Sequence, residues 1–201
     1  MQRQLHAVTS GKQSRDETFR IALAIQPYID YFHIREKRWS AFQIKSFILD
    51  LVKAGMPAEK ILVNDRVDIA AVAGAGGVQL AHHSIGVSEV KRHFPTLMIG
   101  ASVHSREEAV PLREKGADFL LYGNVFATSS KEGKPGIGSP RVKDLVKAVD
   151  LPVIAIGGIK PVNVQEINST GAAGIAVLSG IFLSQEPACA AKRYRQELDR
   201  R

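Results

Sequence analysis

Short apolar segments alternate with helical segments along nearly the whole chain, and this alternation limits the fold more than any other feature. The apolar segments have the length and the β-branched content of buried strands. They are predicted at Leu5–Thr9, Tyr31–Ile34, Ile61–Val63, Gly77–Leu80, Leu97–Gly100, Asp118–Tyr122, Pro152–Ile156 and Gly174–Leu178. Helices between consecutive strands indicate a parallel sheet, and eight such units indicate closure of that sheet into a barrel.

The helical segments carry their own start signals. A serine stands three residues before Glu or Gln at Ser14, Ser40 and Ser105, which is the spacing of a capping box. No change of composition marks a domain boundary. The chain is therefore predicted to be an α/β protein, a compact (β/α)8 TIM barrel in which residues 1–201 form a single domain. A doubly wound open sheet is the alternative, less favoured because the first βα turn has no G-x-G-x-x-G phosphate loop.

The stretch from Leu151 to Leu183 predicts an anion site. It reads as two buried strands, followed by the small-residue turns Gly157-Gly158 and Ser179-Gly180. Bare backbone at the ends of two parallel strands can direct several N–H groups at one anion, and barrels of this kind usually hold phosphate in the loops after strands 7 and 8. We interpret the two turns as a phosphate cradle. The alternative is that the glycines only permit tight βα turns.

Charge and composition exclude several classes of protein. The 27 basic and 20 acidic residues give a net charge of +7, but the basic residues are dispersed among acidic ones and no nucleic-acid-binding motif is found. We expect attraction of anionic small molecules and no direct nucleic-acid partner. The lone Cys189, the absence of a signal-peptide pattern and the absence of a long apolar run predict a cytoplasmic protein without a membrane partner. The oligomeric state stays open, a homo-oligomer included.

The residues that follow the strands are the candidates for chemistry, because the active sites of barrels lie at that end. They are Arg35, Lys37, Asn64, Asp65, His82, His83, Ser102, His104, Asn124, and Thr128 to Lys131. Cations facing a backbone anion site indicate a phosphorylated or diphosphorylated ligand. A carboxylate beside an amide, as at Asp65, suits a magnesium ion. The long connection from Gly123 to Gly138 is typical of a functional lid.

Several of these side chains also have simpler explanations, which the sequence leaves open. Arg35 could pair with Glu36 on the rim, and Asp65 could cap the helix that follows it. The pair His82-His83 is more typical of a solvated loop than of a ligand pair. His104 could merely bond a neighbouring strand end.

An ordered set of motifs carries a family resemblance: HIREK at 33–37, ILVNDRVDIA at 61–70, GVQL at 77–80, IGASVHSREEA at 99–109, ADFLLYGNVFATSSK at 117–131, VIAIGGI at 153–159 and GAAGIAVLSGIF at 171–182. In these motifs the chain resembles the thiamine phosphate synthase superfamily. Within the superfamily, the HIRE strand end and the AAKRY finish resemble the TenI branch, the thiazole tautomerases. The resemblance implies a compact (β/α)8 barrel that acts on thiamine precursors.

For the synthase branch, the resemblance implies a role for most of the strand-end residues. Arg35, Lys37, Asn64 and Lys131 would bind the pyrophosphate of the pyrimidine substrate, Asp65 would bind Mg, Ser102, Thr128 and Ser130 would line the site, and Gly157, Gly158, Ser179 and Gly180 would hold the thiazole phosphate. A synthase also needs a second magnesium carboxylate after strand four. Ser84 stands in its place, which argues against efficient synthase activity.

For the tautomerase branch, the resemblance implies a histidine base after the strand-six glycine. This chain has Asn124 there, and an amide cannot act as a base at neutral pH, although it could orient substrate. His104 is then the nearest alternative base, since histidine titrates near neutrality. A tautomerase would require no cofactor, and a synthase would require Mg.

Three functions follow; the first is preferred, and the third is preferred to the second. The first is a thiazole tautomerase, an isomerase that aromatises the tautomer of thiazole carboxylate phosphate and so binds a phosphorylated thiazole substrate. The second is a thiamine phosphate synthase, a transferase. The third is a catalytically retired TenI-like regulatory or binding protein.

Overall fold

Eight parallel strands close into a barrel, as the alternation predicts. The computed structural model describes residues 3–128 and 135–200. The strands are β1 (Gln4–Val8), β2 (Tyr31–Ile34), β3 (Ile61–Asn64), β4 (Gly77–Leu80), β5 (Met98–Val103), β6 (Phe119–Gly123), β7 (Val153–Ile156) and β8 (Gly174–Val177). They pair in sequence order, and β8 pairs with β1 to complete the ring. The (β/α)8 barrel is therefore confirmed, and the open sheet is excluded.

Nine α-helices surround the barrel within the described residues. They are α1 (Arg15–Ile25), α2 (Ala41–Lys53), α3 (Val67–Ala73), α4 (Val87–His93), α5 (Arg106–Ala109), α6 (Ser139–Ala148), α7 (Val164–Asn168), α8 (Ser179–Phe182) and α9 (Pro187–Asp199). The additional helix is α8, which begins at the Ser179-Gly180 pair, where a small-residue turn of the phosphate cradle is predicted. In 3–128 and 135–200 no helix has both the length and the apolar character needed to cross a membrane.

One of the three predicted capping boxes forms both of its hydrogen bonds, and the other two form only one. Ser40 accepts a hydrogen bond from the Gln43 N–H, and the Gln43 side chain accepts one from the Ser40 N–H. Ser14 and Ser105 accept the backbone hydrogen bond of the box. At Ser105, however, the carboxylate of Glu108 accepts from the N–H of His104, so the second half of that box holds the end of β5 instead.

Strand alternation sorts the buried residues into two layers. Leu5, Ala7, Ile175 and Val177 belong to the outer core, which packs between the sheet and the helices. The intervening residues point into the barrel, where Val8, Leu62, Phe119, Leu121, Ile154 and Ala176 form an inner apolar cluster. Both faces of each strand are therefore buried, which explains why the strands read as continuous apolar runs.

Three polar side chains also form a row of hydrogen bonds inside the barrel. His6 Nδ1 lies 2.9 Å from His33 Nε2, and His6 Nε2 lies 3.1 Å from the Gln4 side-chain oxygen. Because Gln4 offers an acceptor, His6 donates through Nε2 and accepts through Nδ1, so His33 donates from Nε2. Burial lowers the pKa of His6 well below its ordinary value and that of His33 to about 3. Both imidazoles are therefore neutral in the folded protein.

Helix α9, near the end of the chain, forms hydrogen bonds with residues near its start. Arg195 on α9 donates to the Asp30 carboxylate at 2.8 Å and to the Arg3 carbonyl at 2.6 Å. Asp30 also accepts from the N–H of Leu5 at 2.7 Å. Since β1 pairs with β8, these contacts support the closure of the barrel from outside.

Candidate active site at the carboxyl ends of the strands

The parallel strands deliver most of the predicted site residues to one rim of the barrel. Arg35 follows β2, Asn64 ends β3, Ser102 lies on β5, Asn124 follows β6, Gly157 and Gly158 follow β7, and Ser179 begins α8 after β8. Strand β5 runs past its predicted end at Gly100, so Ser102 lies on the strand itself. Thr128 is half-buried beyond β6. Ser130 and Lys131, which the sequence analysis adds to the site, lie outside the described residues.

A cationic cavity opens at the ends of β1 and β2. Its volume is about 470 Å³, and it is lined by Ser10, Gly11, Lys12, Arg35, Lys37 and Arg38. In the part of the chain that the structure describes, none of these four cations forms an ion pair within 4 Å. Such a cavity attracts an anion, because its positive charge is not neutralised from within. Arg35 and Lys37 are among the residues predicted for the site, whereas Lys12 and Arg38 are not.

Glu36 forms no ion pair within 4 Å among the described residues, although Arg35 attracts its carboxylate and it stands between two of the cavity's cations in sequence. Its side chain is buried, and its carboxylate accepts hydrogen bonds from the Thr9 hydroxyl and the Gly11 N–H. Burial raises its pKa. The Thr9 hydroxyl oxygen also accepts from the backbone N–H of Arg35 at 2.8 Å. The alternative of an Arg35–Glu36 pair on the rim is therefore wrong; Glu36 instead joins the two loops that carry the cations.

Asp65 is held at the end of β3 by its neighbours. Its backbone adopts a positive φ of 68°, and its N–H donates to the Gln79 carbonyl at 2.9 Å. The Ser84 hydroxyl donates to Asp65 Oδ1 at 2.5 Å and accepts from the Ala81 N–H at 2.9 Å. The alternative of a helix cap is wrong, because Arg66 is the N-cap of α3 and no side chain caps it. The carboxylate faces the β4 loop instead.

The imidazoles of the β4 loop lie in solvent. His82 and His83 are exposed, and their rings meet edge to face with centroids 5.2 Å apart. The interpretation of this pair as a solvated loop is confirmed.

Gln79 is a buried polar residue that the sequence analysis gives no role. It lies on β4, and its side-chain nitrogen donates to the Ser102 hydroxyl oxygen at 3.0 Å and to the Leu80 carbonyl at 3.3 Å. Its side-chain oxygen has no hydrogen-bond partner among the described residues. The hydrogen bond from Gln79 therefore orients the Ser102 hydroxyl. The available signal was a lone glutamine in a strand otherwise made of glycine and apolar residues.

The two predicted proton-transfer positions differ in burial. His104 follows β5, its side chain is 49% exposed, and its Nδ1 lies 3.7 Å from the Glu108 carboxylate. Asn124 is buried, and its amide nitrogen donates to the Phe126 carbonyl at 3.4 Å. Both residues follow neighbouring strands at the same rim, and their roles in proton transfer remain predictions.

The glycine turn after β7 packs against the segment after β6. Gly157 and Gly158 have φ values of 101° and 65°. A Cβ on Gly157 would stand 2.5 Å from the Cβ of Asn124, and one on Gly158 would stand 2.5 Å from the Ala127 carbonyl oxygen. Tight packing alone thus requires glycine at both positions. Phosphate binding there remains a prediction, and close packing does not oppose it.

The family is shown by comparison with known proteins. The family profile described as thiamine monophosphate synthase matches residues 5–181. A thiamine-phosphate synthase of Methanoculleus marisnigri is 35% identical over 189 residues, covering 92% of this chain and 90% of that protein. One from Pyrococcus furiosus is 42% identical over 134 residues, which cover 67% of this chain and 65% of the relative, slightly under two thirds of its length.

Solved structures agree with this relationship. Thiamine phosphate pyrophosphorylase from Pyrococcus furiosus superposes with a TM-score of 0.84 at 31% identity, covering 98% of this chain and 95% of the other. A 3-hexulose-6-phosphate synthase superposes with a TM-score of 0.75 at 18% identity, covering 96% and 99%, and shows the fold alone. The relatives from Methanoculleus marisnigri and Pyrococcus furiosus carry the name thiamine-phosphate synthase and not that of a TenI tautomerase. The chain belongs to the thiamine monophosphate synthase family.

Proposed function

We propose that this protein is a thiamine-phosphate synthase, a transferase that joins thiazole phosphate to the pyrimidine of a pyrimidine diphosphate and releases the diphosphate. The observation that carries the proposal is a cavity at the carboxyl-end rim whose four cations have no ion-pair partner within 4 Å among the described residues, in a chain of this family. A diphosphate leaving group gains negative charge as its bond breaks, so fixed cations stabilise the transition state more than the bound substrate. This replaces the tautomerase as the preferred function.

The cations would act on the diphosphate directly. Arg35 and Lys37 would bind its oxygens, with Lys12 and Arg38 adding charge at the cavity wall. The buried Glu36 holds the loops of these cations together through Thr9 and Gly11. Asn64 at the end of β3 would donate to the same group, and Ser102, oriented by Gln79, would line the pyrimidine side. Thr128, Ser130 and Lys131 remain predicted contributors from the loop after β6.

The residues present fit a magnesium ion that the diphosphate carries. Among the described residues, no group of three Asp, Glu, His or Cys side chains could hold a metal ion by itself. Mg²⁺ commonly takes one or two protein carboxylates and completes its shell with phosphate oxygens and water. Asp65 supplies one carboxylate, fixed through Oδ1 by the Ser84 hydroxyl, and no described hydrogen bond engages its Oδ2. When bound, the ion would neutralise part of the charge on the diphosphate, and the four cations of the cavity would neutralise more of it.

The thiazole phosphate would bind at the two small-residue turns. The first N–H groups of a helix have no partner inside that helix, and Ser179 and Gly180 supply two of them at the start of α8. The turn at Gly157 and Gly158 stands on the neighbouring strand. Backbone donors on adjacent strand ends would hold the thiazole phosphate beside the cationic cavity, since β8 pairs with β1.

The test is the formation of thiamine phosphate from the two substrates and Mg²⁺, followed by chromatography. We expect turnover by the native protein and a reduction of about 10- to 100-fold in kcat/KM for Arg35→Met, since charged hydrogen bonds contribute about 1.5–3 kcal/mol. Arg92→Met is the matched control, because Arg92 is exposed on α4, outside the cavity; it should leave the rate unchanged.

Other outcomes distinguish the remaining functions. Aromatisation of the thiazole tautomer without thiamine phosphate formation would establish a tautomerase and make His104→Ala the next variant. Binding of thiazole phosphate without turnover in either assay would establish a retired binding protein. Either result would overturn the synthase proposal.

A further inference from the structure

The side chain of Tyr194 reaches from α9 to the first of the two turns. Its ring is buried, and its hydroxyl donates to the Ile159 carbonyl at 2.9 Å. Ile159 directly follows the turn Gly157-Gly158. Burial raises the Tyr194 pKa to about 12, so the hydroxyl keeps its proton and its donor role at every physiological pH.

The same hydroxyl also contacts the second turn. A Cβ built on Gly180 would fall well inside van der Waals contact with the Tyr194 hydroxyl oxygen and 3.0 Å from the ring carbon that bears it. Gly180 is in the first turn of α8, where its backbone N–H is free of an intrahelical partner. One oxygen atom therefore lies against both segments that would hold the thiazole phosphate.

We infer that Tyr194 is a positioning residue that sets the spacing of the two phosphate-binding turns. This inference rests on the proposed function, because it assigns Tyr194 to the phosphate site of that function. The hydrogen bond to Ile159 fixes the turn after β7, and the oxygen sets how closely α8 approaches. Both turns thus depend on a helix that lies outside the barrel and contributes no group to the substrate.

Tyr194→Phe tests the hydrogen bond, because it removes the hydroxyl and keeps the ring. We expect the Kd for thiazole phosphate, measured by titration calorimetry, to rise about 3- to 10-fold, as one hydrogen bond contributes about 0.5–1.5 kcal/mol. The Kd for the same thiazole without phosphate should not change, which a general structural defect would not produce. Tyr122→Phe is the matched control, since Tyr122 is a buried tyrosine on the outer face of β6 that belongs to neither turn.

Gly180→Ala tests the second contact, alone and together with Tyr194→Phe. The single variant should lose most phosphate affinity, because the methyl group cannot coexist with the hydroxyl. The double variant should bind thiazole phosphate at least threefold more tightly than Gly180→Ala, because the hydroxyl nearest to the new methyl group has been removed. Equal affinity of Tyr194→Phe and native protein, or a double variant no better than Gly180→Ala, would overturn the inference.

The two proposals fail in different ways. If the native protein does not bind thiazole phosphate at all, the proposed function is wrong. In that case the coupling between Gly180 and Tyr194 is read from thermal unfolding of the same four proteins. Additive changes in Tm for the two substitutions would show that Tyr194 does not position α8 and would remove the inference as well.

Discussion

Asp65→Asn should lower kcat/KM for thiamine phosphate formation by about 100- to 1,000-fold, the range typical for removing one electrostatic group that acts in a transition state. The substitution removes the charge and almost nothing else. Asparagine tolerates the positive φ of this position, and its side-chain oxygen can still accept from the Ser84 hydroxyl. Only the coordination of a cation on the diphosphate would be lost.

The measurement is the dependence of the rate on Mg²⁺ concentration, with circular dichroism to confirm the fold. Asp68→Asn is the matched control, because Asp68 lies three residues further along and its exposed carboxylate pairs with Arg66 at 2.6 Å. The control should stay within about twofold of the native rate. If Asp65→Asn retained native activity at every Mg²⁺ concentration, Asp65 would have no part in metal binding.

Ser84→Asp provides the complementary result. It places a second carboxylate beside Asp65, where like charges repel until a cation neutralises them. We expect the Mg²⁺ concentration that gives half-maximal rate to fall about tenfold, the lower end of the effects seen for groups around a metal site. A higher magnesium requirement would mean that the Ser84 hydroxyl itself is needed to orient Asp65.

The ends of the strands could be predicted because the hydrophobic pattern, and the glycine and polar residues that interrupt it, are local features of the sequence. The prediction that Arg35, Asn64, Asp65, Ser102 and Asn124 share one rim needs only parallel strands, and the structure bears out the strands. The start of α8 was less accessible, since four residues after a strand carry too little periodicity to distinguish a helix from a turn. Its helical bonds run back to Leu178, within the last residues of the predicted strand.

The contacts within the site were not predictable, because they join residues far apart in sequence. From the sequence, Glu36 is expected to pair with Arg35 on the rim. In the structure its buried carboxylate accepts hydrogen bonds from Thr9 and Gly11, which follow the neighbouring strand β1. Lys12 enters the cavity for the same reason, from a loop with no strand-end signal of its own. Tyr194 reaches Ile159 across 35 residues. Such pairs depend on strand order and register, which the pattern of one chain does not specify.

The pair His6 and His33 is a further case, and it predicts that the barrel loses stability as the solution becomes mildly acidic. Each histidine lies on a strand with both faces buried, so alternation does not reveal which face is inward. In the barrel the two rings meet, and both pKa values are lowered by burial, that of His33 to about 3. A proton added to His6 would turn Nδ1 into a donor facing the N–H of His33.

The direction in which stability changes with pH follows from the lowered pKa values of His6 and His33. Above pH 6.5 both imidazoles are neutral whether the chain is folded or not, and their contribution to stability is full. Below pH 6.5 the unfolded chain binds protons that the folded barrel refuses, and this continues down to about pH 3 for His33. We expect the free energy of unfolding to fall by about 2–4 kcal/mol between pH 7.5 and pH 5 from this pair, a large part of a typical total of about 5–15 kcal/mol.

Urea unfolding at steps of about 0.5 pH unit over the same range measures the effect. His33→Gln keeps a donor toward His6 and removes one titrating group, so the slope of unfolding free energy against pH should fall by about half. His93→Gln is the matched control, because His93 is exposed at the end of α4, and it should keep the native slope. An unchanged slope in His33→Gln would show that the buried pair takes up protons in the folded barrel, and the acid sensitivity would then have to arise from other groups.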